Sequence, residues 1–182
     1  MNIPNNEIWY ISEDRLIFSE KFPFNTKIIS NIFNNGNGIL KFQNDVTEIN
    51  GFAFYNCTSL TSINIPKGVT NIGNFAFAGC INLTSITIPD GVTSIGDYAF
   101  SDCTGITSIT IPNSVTKIGC SVFYNCLKLK SIKVESEYPS SILDAIISND
   151  INLEEIYVPN NSVNTYIQAE GWKIYADKIK GY

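Results

Sequence analysis

The sequence predicts an α/β solenoid, in which coils of 23 residues stack on one another. Three observations support this prediction. Segments that begin at Val46, Val69, Val92 and Val115 repeat one pattern without a gap. Each segment contains L-x-x-I-x-I or a close variant, and a proline follows it in the first three. A fixed period of this length is typical of solenoid proteins.

The L-x-x-I-x-I segment predicts one short strand in each coil. In the second coil Ile86 and Ile88 alternate with serine and threonine, which is the pattern of a half-buried strand. Pro89 then removes a backbone donor and ends the strand. Stacked in register, about 4.8 Å apart, such strands form a parallel sheet along one face of the solenoid.

The rest of each coil is the return path to the next strand. V-T-x-I is short enough for a second β-bridge at most. After it, Ile72, Ala76 and Cys80 fall four residues apart, which predicts the inward face of a helix of about two turns. Asn74 and Asp97 occupy the N-cap position of that helix.

The order V-x-x-I-x-x-x-A-F-x-x-C-x-x-L-x-x-I-x-I-P resembles the BspA-like leucine-rich repeats of bacterial surface proteins, and it recurs four times over residues 46–134. The resemblance implies a right-handed leucine-rich-repeat solenoid shaped as a horseshoe or arc. It also implies a virulence-associated family, located at the cell surface or secreted, that binds host extracellular proteins or glycans. General leucine-rich repeats carry an asparagine past the strand corner. Gly68, Gly91 and Ser114 stand near that point, so no asparagine ladder is expected.

Irregular segments are expected to close the solenoid at both ends, which would make one complete structural domain. Residues 1–45 predict an N-terminal β cap of two hairpins, 7–12 with 15–19 and 27–33 with 39–42. The strand 39–42 is read as a degenerate first coil. The aromatic side chains expected to cover the exposed core are Trp9, Phe18, Phe22 and Phe24.

The C-terminal end departs from the 23-residue period in a similar way. Residues 135–159 predict a degenerate fifth repeat, with an apolar helix at 141–148. Residues 160–182 predict a helical cap. Its first helix starts at Ser162 and ends before Gly171, and another turn or two follows over 172–179.

The composition of the chain excludes several classes of function. The chain has 182 residues, of which 44% are hydrophobic and 16% charged, as in a globular domain, and its net charge is −5. This acidic balance does not favour nucleic acid, which requires a basic surface. No run reaches the roughly 18 apolar residues of a membrane span. Residues 1–15 lack the basic and apolar segments of a secretory signal peptide.

Five cysteines raise the questions of a metal site and of disulfides. Cys57, Cys80, Cys103 and Cys126 recur every 23 residues and predict a buried column of reduced thiols. The chain has no histidine and no C-x-x-C pair, so neither a zinc site nor any cofactor is predicted. Cys120 falls at the predicted helix start. It is either an ordinary surface residue or a thiol that favours the thiolate form.

An enzyme is not predicted, because serine and cysteine nucleophiles usually need an imidazole base. A carboxylate pair could serve a glycosidase, but the acidic residues of one coil fall on different parts of it. Phe54, Phe77, Phe100 and Phe123 are expected in the core. A second aromatic column, Phe52, Phe75 and Tyr98, is expected at the edge of the arc.

The outward positions of the predicted sheet remain as the candidate binding face. They are mostly hydroxyl residues, which are also ordinary solvent-exposed strand formers. We expect a non-enzymatic binding or adhesion module that presents this face to a protein or glycan. A structural spacer and a carbohydrate-active enzyme are the alternatives. The predicted face consists of Ser62, Asn64, Ser85, Thr87, Ser108, Thr110, Ser131 and Lys133.

Overall fold

Each coil of the chain contains one long strand, one two-residue strand and a run of tight turns. The computed structural model describes residues 4–13, 24–142, 146–147 and 152–182. Within them the strands are β1 (Glu7–Ser12), β2 (Ile28–Asn34), β3 (Asn37–Phe42), β4 (Glu48–Ile49), β5 (Leu60–Asn64), β6 (Asn71–Ile72), β7 (Ser85–Thr87), β8 (Ser94–Ile95), β9 (Ser108–Ile111), β10 (Lys117–Ile118), β11 (Ser131–Val134), β12 (Ser141–Ile142), β13 (Glu155–Val158) and β14 (Ile179–Gly181). The predicted solenoid fold is confirmed.

The long strands form two sheets rather than one. One sheet has the order β2-β3-β1-β5-β7 and the other β14-β13-β11-β9. Strands from successive coils pair in parallel with equivalent residues opposed, such as Ile63 with Ile86 and Ile109 with Ile132. No strand pairing joins β7 to β9 in the part of the chain that the structure describes. The prediction of one continuous strand face is therefore wrong at this junction.

The two-residue strands form a third, uninterrupted parallel sheet in the order β12-β10-β8-β6-β4. The threonine just before each of the strands β4, β6, β8 and β10 explains the V-T-x-I signature. The Thr93 hydroxyl donates to the carbonyl of Thr70 in the coil before it, at 3.1 Å, and Thr116 repeats this bond to Thr93 at 3.3 Å. The isoleucines of this sheet, such as Ile72 and Ile95, are buried. The predicted second bridge is confirmed.

The helix of two turns predicted in each coil is wrong, because the segment is a run of turns. Phe75 and Gly79 adopt φ values of 57° and 77°, which a right-handed helix excludes. Successive backbone N–H groups of this segment donate alternately to the next coil and to their own coil. The N–H of Phe77 donates to Ala99 in the next coil at 2.8 Å, whereas that of Ala78 donates to Phe75 in its own coil at 3.1 Å. The turns thus bind one coil to the next, as a helix could not.

Asn74 and Asp97 do not cap a helix but bond to the following coil. The side-chain oxygen of Asn74 accepts the N–H of Asp97 at 2.9 Å, and that of Asp97 accepts the N–H of Cys120 at 2.8 Å. The glycine that precedes each of them allows this close approach. A Cβ on Gly96 would lie 2.4 Å from Oδ1 of Asn74. In the first coil the same position is occupied by Asn50.

Aromatic side chains stack directly over one another along the solenoid. The centroids of Phe77 and Phe100 are 5.3 Å apart and their planes differ by 3°, and both residues are fully buried. The second column is half-buried, with Phe75 and Tyr98 at 5.0 Å and 6°. The predicted core column is confirmed, and the whole of it comprises Phe54, Phe77, Phe100 and Phe123.

The N-terminal cap inserts an antiparallel strand into the stack. β2 and β3 form the hairpin predicted for 27–42, around Asn35 and Gly36, whose φ values of 48° and 83° are typical of a type I′ turn. β1 lies between β3 and β5 and is antiparallel to both, so β3 does not stack directly on the first regular coil. Phe24 is buried against Phe42 and Phe54. Residues 15–19, Phe18 and Phe22 lie outside the described residues.

The C-terminal cap contains the only α-helix in the described residues, α1 (Val163–Gln168), between 3-10 turns at Asn160–Ser162 and Lys173–Tyr175. The helix predicted after Ser162 is confirmed, although the Ser162 side chain forms no capping bond. The helix predicted for 141–148 is wrong at its start, because Ser141–Ile142 is strand β12. The turn or two predicted over 172–179 is present in part, as the 3-10 turn at Lys173–Tyr175, and β14 then adds a parallel strand beside β13.

Gly96→Ala is expected to destabilise the protein by about 1–3 kcal/mol, because the new methyl group would overlap Asn74 of the preceding coil. Urea unfolding followed by circular dichroism measures the change. Asn50→Ala at the equivalent position of the first coil is the control and should cost less. Equal losses in the two variants would contradict the close-contact explanation.

Candidate functional site

The eight predicted residues lie on β5, β7, β9 and β11 with their side chains away from the core. Their neighbours Ile63, Ile109 and Ile132 are buried, as the alternation of a strand requires. Ser62, Ser131 and Lys133 are half-buried, and the exposed ones are Asn64, Ser85, Thr87, Ser108 and Thr110. We call the outward side of the long strands, from β1 to β14, the outer face.

Cap strands extend the outer face at the C-terminal end with charged and aromatic side chains. Lys133 of β11 lies opposite Tyr157 of β13, and Tyr157 lies opposite Lys180 of β14. The Nζ atom of Lys133 is 4.4 Å from the ring centroid of Tyr182, a cation–π contact. Tyr182 remains 46% exposed. This group, which we call the C-terminal cluster, comprises Lys133, Glu155, Tyr157, Lys180 and Tyr182.

Glu155 organises the charges of the C-terminal cluster. Lys180 donates to its Oε1 atom at 2.5 Å, and the hydroxyl of Tyr157 donates to its Oε2 atom. The ammonium of Lys180, followed by the Tyr157 hydroxyl, lowers the pKa of Glu155. The carboxylate in turn raises the pKa of Lys180 and of Tyr157. At neutral pH the cluster therefore presents a fixed ion pair beside two aromatic rings.

β1 extends the outer face at the N-terminal end. Trp9 and Ile11 point away from the core, because Ile8 and Tyr10, with which they alternate along β1, are buried. Ile11 is 48% exposed, and Trp9 is half-buried with its Nε1 atom donating to Glu7 at 2.9 Å. The sequence placed Trp9 as a cover for the core. The structure instead places it on the outward side, because β1 pairs beside β5.

A groove opens in the outer face between β7 and β9, and we call it the strand groove. At the neighbouring junctions, one backbone bond recurs in each coil: the Thr84 N–H donates to Thr61 at 3.1 Å, and the Lys130 N–H donates to Thr107 at 2.9 Å. The equivalent bond from Thr107 to Thr84 is absent among the residues that the structure describes. Ile86 is only half-buried, unlike its counterparts Ile63 and Ile109.

The strand groove has a volume of ≈ 420 Å³, and its walls are mixed, with Ile86, Ile88 and Ile109 beside the polar side chains. Four of the eight predicted residues line it, which are Ser85, Thr87, Ser108 and Thr110. Asp90 and Glu135 line it as well, and no lysine or arginine does. Glu135 forms an ion pair with Lys133 at 3.2 Å. The groove therefore combines hydroxyls, two carboxylates and the unpaired edges of two strands.

The cysteine column is a structural feature of the core. Cys80, Cys103 and Cys126 are fully buried, whereas Cys57 is half-buried, so the column is less complete than predicted. Each buried thiol donates to a phenylalanine carbonyl of the preceding coil, as Cys103 does to Phe77 at 3.2 Å. Burial, followed by the hydrogen bond with Cys80, raises the pKa of Cys103. The Cys103 thiol is thus kept protonated as a donor, and none of the five cysteines is in a disulfide.

Cys120 does not lie at a helix start, because no helix forms there. It is half-buried, and its N–H donates to the Asp97 side chain. The helix start that would favour a thiolate at Cys120 is therefore not present. Among the residues described, no group of three or more metal-ligating side chains occurs. None of the described helices is long and apolar enough to cross a membrane.

Sequence reasoning missed the strand groove and both ends of the outer face. The groove leaves no signal, because residues 83–88 match the repeat as closely as their neighbours do. The two ends of the outer face did leave a signal in the sequence. Alternation over residues 7–12 and 155–158 places Trp9, Ile11 and Tyr157 outward, and these positions could have been added to the face.

Comparison of the sequence with protein-family models gives a match to the BspA type leucine rich repeat region, in 6 copies over residues 26–153. None of the curated proteins matches the chain.

Several solved structures are similar. The pneumococcal vaccine antigen PcpA is 18% identical with a TM-score of 0.54, over 75% of this chain and 38% of that one, a likeness of fold alone. A leucine-rich repeat protein from Bacteroides ovatus is 31% identical, with a TM-score of 0.44, over 72% of this chain and 38% of that one. A leucine-rich cell surface protein from Faecalibacterium prausnitzii is 30% identical, with a TM-score of 0.49, over 66% and 41%. The chain thus spans about two fifths of each of these proteins.

The amide hydrogen of Thr107 is expected to exchange with solvent roughly ten times faster than those of Thr84 and Lys130, because it lacks their hydrogen bond to the preceding coil. A loss of roughly 1.4 kcal/mol in the free energy of protection corresponds to a factor of ten in the exchange rate. All three residues are exposed and occupy equivalent positions, but only Thr107 lacks the bond between coils. NMR hydrogen exchange measures the three rates. Equal protection at the three amides would mean that the sheet is continuous.

Alkylation of the folded protein is expected to modify Cys57 and Cys120 but not the buried Cys80, Cys103 and Cys126. Mass spectrometry of iodoacetamide-treated protein, with urea-unfolded protein as the control, locates the modified thiols. Modification of Cys103 at the rate of Cys120 would contradict the buried column.

The free energy of unfolding is expected to fall at alkaline pH because of the buried cysteine column. The folded state raises the pKa of Cys103, so it binds that proton more tightly than the unfolded chain does. The contribution is complete below the ordinary thiol pKa of about 8.5 and is lost as pH rises above it. Urea midpoints at pH 7 and pH 10 test this. The loss should be smaller in Cys103→Ala.

Proposed function

Because the chain belongs to the BspA-type leucine-rich repeat family, we propose that it is a non-enzymatic module that binds another protein through its outer face. Membership of this family supports a protein-binding module in general terms. The outer face as the binding surface is our own assignment. It includes all eight residues predicted from the sequence.

The observation that carries this proposal is the presence of aromatic side chains at both ends of the outer face, with lysines beside them at the C-terminal end. Trp, Tyr and Arg are the residues that dominate binding energy at protein interfaces, and hydroxyl residues contribute little. Trp9 lies at one end, and Tyr157 and Tyr182 lie at the other, with the hydroxyl strands between them. The hydroxyl strands alone are the low-diversity surface that the sequence predicted, and the ends supply the missing anchors.

The chemistry of the strand groove favours a protein over a glycan as the partner. Sugar rings are commonly held against the open faces of aromatic side chains, and no aromatic residue lines the groove. The stacked rings of Phe75 and Tyr98 cover each other's faces and leave mainly their edges open. A protein partner can instead use backbone and charged groups, which the outer face does offer.

We further propose that the module acts in adhesion at a bacterial cell surface. The support is the family to which the chain belongs, together with the exposed and rigid character of a face held by bonds between coils. A protein that binds a host partner from such a surface needs a face that stays ordered without its ligand. The stacked strands on either side of the groove meet this requirement.

An enzyme is the second candidate, and one observation favours it: Asp90 and Glu135 line the same groove. A glycosidase needs one carboxylic acid that keeps its proton at working pH, which burial in an apolar site provides. Asp90 is exposed, and Glu135 is paired with Lys133. We therefore assign the two carboxylates to binding. Turnover of a glycan substrate that Asp90→Asn abolishes would reverse this assignment.

The double variant Tyr157→Ala with Tyr182→Ala is expected to weaken binding of the protein partner at least about tenfold, which corresponds to about 1.4 kcal/mol. The partner is first identified by screening the native chain against immobilised extracellular matrix proteins and a glycan array. A second variant carries Glu at residues 85, 87, 108 and 110, and it should lose binding through charge and bulk on the face.

Tyr138→Ala is the matched control, because Tyr138 is 77% exposed but lies in the loop after β11. It should bind as the native chain does. A partner that tolerates both face variants, or a screen that yields only glycan ligands, would overturn the proposal. Unchanged unfolding curves confirm that the variants are folded.

A further inference from the structure

An exposed apolar row runs across three strands at the N-terminal end of the chain. Trp9 of β1 lies opposite Ile39 of β3, and Ile39 lies opposite Ile32 of β2. Residues directly opposite each other in a sheet point to the same side, so all three side chains lie on the outer face. Ile32 is aliphatic and yet 60% exposed. A contiguous apolar surface of this kind indicates a contact site.

The apolar row ends at β2, which is an open edge of its sheet. In the described sheets β2 pairs with β3 alone. Proteins commonly protect such an edge with charged residues, proline or a bulge. The seven residues of β2, IISNIFN, include no charge and no proline, and the bulge lies at the start of the strand, between Ile28 and Ser30. The open strand at the C-terminal end, β14, has three residues and carries Lys180. Of the two, β2 is the unprotected edge.

The hairpin turn determines which backbone groups of β2 point to its open side. Asn34 and Asn37 flank the two residues of the turn, and the turn bonds them to each other. Bonded and non-bonded pairs alternate along an antiparallel ladder, so the backbone of Ile32 bonds to β3, whereas that of Asn31 and Phe33 does not. The N–H and C=O groups of Asn31 and Phe33 therefore point away from β3, toward the open side.

Side-chain contacts hold these two residues in place. The side-chain oxygen of Asn31 accepts the hydroxyl of Tyr10 at 2.9 Å, and the ring of Phe33 stacks on that of Tyr10, with centroids 6.2 Å apart and planes that differ by 9°. Tyr10 is itself buried. The edge is therefore ordered before anything binds to it, which lowers the entropic cost of pairing.

We propose that β2 pairs with β2 of a second copy of the chain, antiparallel and about a two-fold axis at Ile32. A symmetric dimer requires a surface that is complementary to itself, and an antiparallel strand is. In this register Asn31 of each copy lies opposite Phe33 of the other, and each of these pairs exchanges two backbone hydrogen bonds. An axis at Asn31 would instead use the bulged residue Ile29, and an axis at Phe33 would use the turn residue Asn35.

The charge pattern of the cap favours a second copy as the occupant of this edge. Ile32 meets Ile32 of the other copy, so the apolar row continues through the axis. The nearest charged side chains on the outer face, Lys41 and Glu7, form an ion pair at 3.4 Å. Lys41 lies opposite Ser30, and Ser30 would face the neutral Asn34 of the other copy. Like charges on these strands therefore do not meet across the axis.

The proposed dimer presents two outer faces on the same side, because its axis is perpendicular to the joined sheets. The order β7-β5-β1-β3-β2 continues from β2 into the same strands of the other copy. Since β2 is the last strand of that order, the two solenoids extend away from the axis. A partner displayed many times on a surface would be held by both faces at once. This use of two faces rests on the proposed function, whereas the pairing of β2 does not.

Sedimentation velocity of the native chain over a range of concentrations tests the pairing. We expect a monomer–dimer equilibrium with a Kd below about 1 mM. Ile32→Lys places two like charges against each other at the axis and should raise this Kd at least about tenfold. Ile174→Lys is the matched control, because Ile174 is 57% exposed but lies in the C-terminal cap. It should dimerise as the native chain does.

Hydrogen exchange on the native chain tests the register without any substitution. The amides of Asn31 and Phe33 should become more protected as the protein concentration rises, whereas that of Ile32, which already bonds to β3, should not change. Oxidation by diamide should link Ile32→Cys to itself as a dimer. Ile174→Cys measures the background from the native cysteines and should form no more dimer than the native chain.

A native chain that stays monomeric at about 1 mM would overturn the inference. So would a dimer that the folded Ile32→Lys variant retains, or one that protects neither Asn31 nor Phe33. The proposed function fails separately. If the dimer forms but the Tyr157 and Tyr182 double variant keeps the partner, the pairing of β2 holds and the outer face is not the binding surface. If the chain is monomeric but the double variant loses the partner, the outer face binds as a single copy. If Ile32→Lys binds soluble partner normally but leaves a partner-coated surface faster, both proposals hold.

Discussion

The stacking of equivalent residues at a spacing of 23 is the constraint on which the rest of the structure depends. Except between β7 and β9, every side of a coil is bonded to the coil next to it: long strand to long strand, short strand to short strand and turn to turn. Since each residue then lies over its own counterpart, any side chain that pairs well with itself is stabilised in every coil. Parallel phenylalanine rings and threonine hydroxyls on threonine carbonyls are two such pairs.

The same constraint accounts for residues whose local preference it overrides. Phe75 and Tyr98 adopt the left-handed backbone region, which costs an aromatic residue roughly 1–3 kcal/mol. The N–H of Phe75 itself bonds to Asp97 in the next coil, whereas the following N–H, that of Ala76, bonds to Gly73 within the coil. The glycine before each turn is explained by the same stacking of one coil on another. It is present where a coil lies below, and Asn50 replaces it in the first coil.

The sequence was sufficient for those parts of the fold that follow from repetition. The period, the alternation around Ile109 and the proline corner predicted the strands, the second bridge and the phenylalanine column, and all are present. The helix was predicted wrongly because the spacing of Ile72, Ala76 and Cys80 suits a helical face, whereas the left-handed φ of Phe75 opposes the preference of its own side chain. The break beside β7 could not be predicted, since its residues match their counterparts in the other coils.

Repetition also limits where a specific site can form. A surface built from identical coils offers the same groups at every step. A partner would therefore bind with the same affinity in any register. Specificity requires positions where the repeat fails, and the outer face has three: β1 with Trp9, the strand groove with Asp90, and the cap strands with Tyr157 and Lys180. Each combines a departure from the repeat with a chemical group that the hydroxyl strands lack. A partner that contacts all three can bind in one register only, which is the property a recognition surface needs.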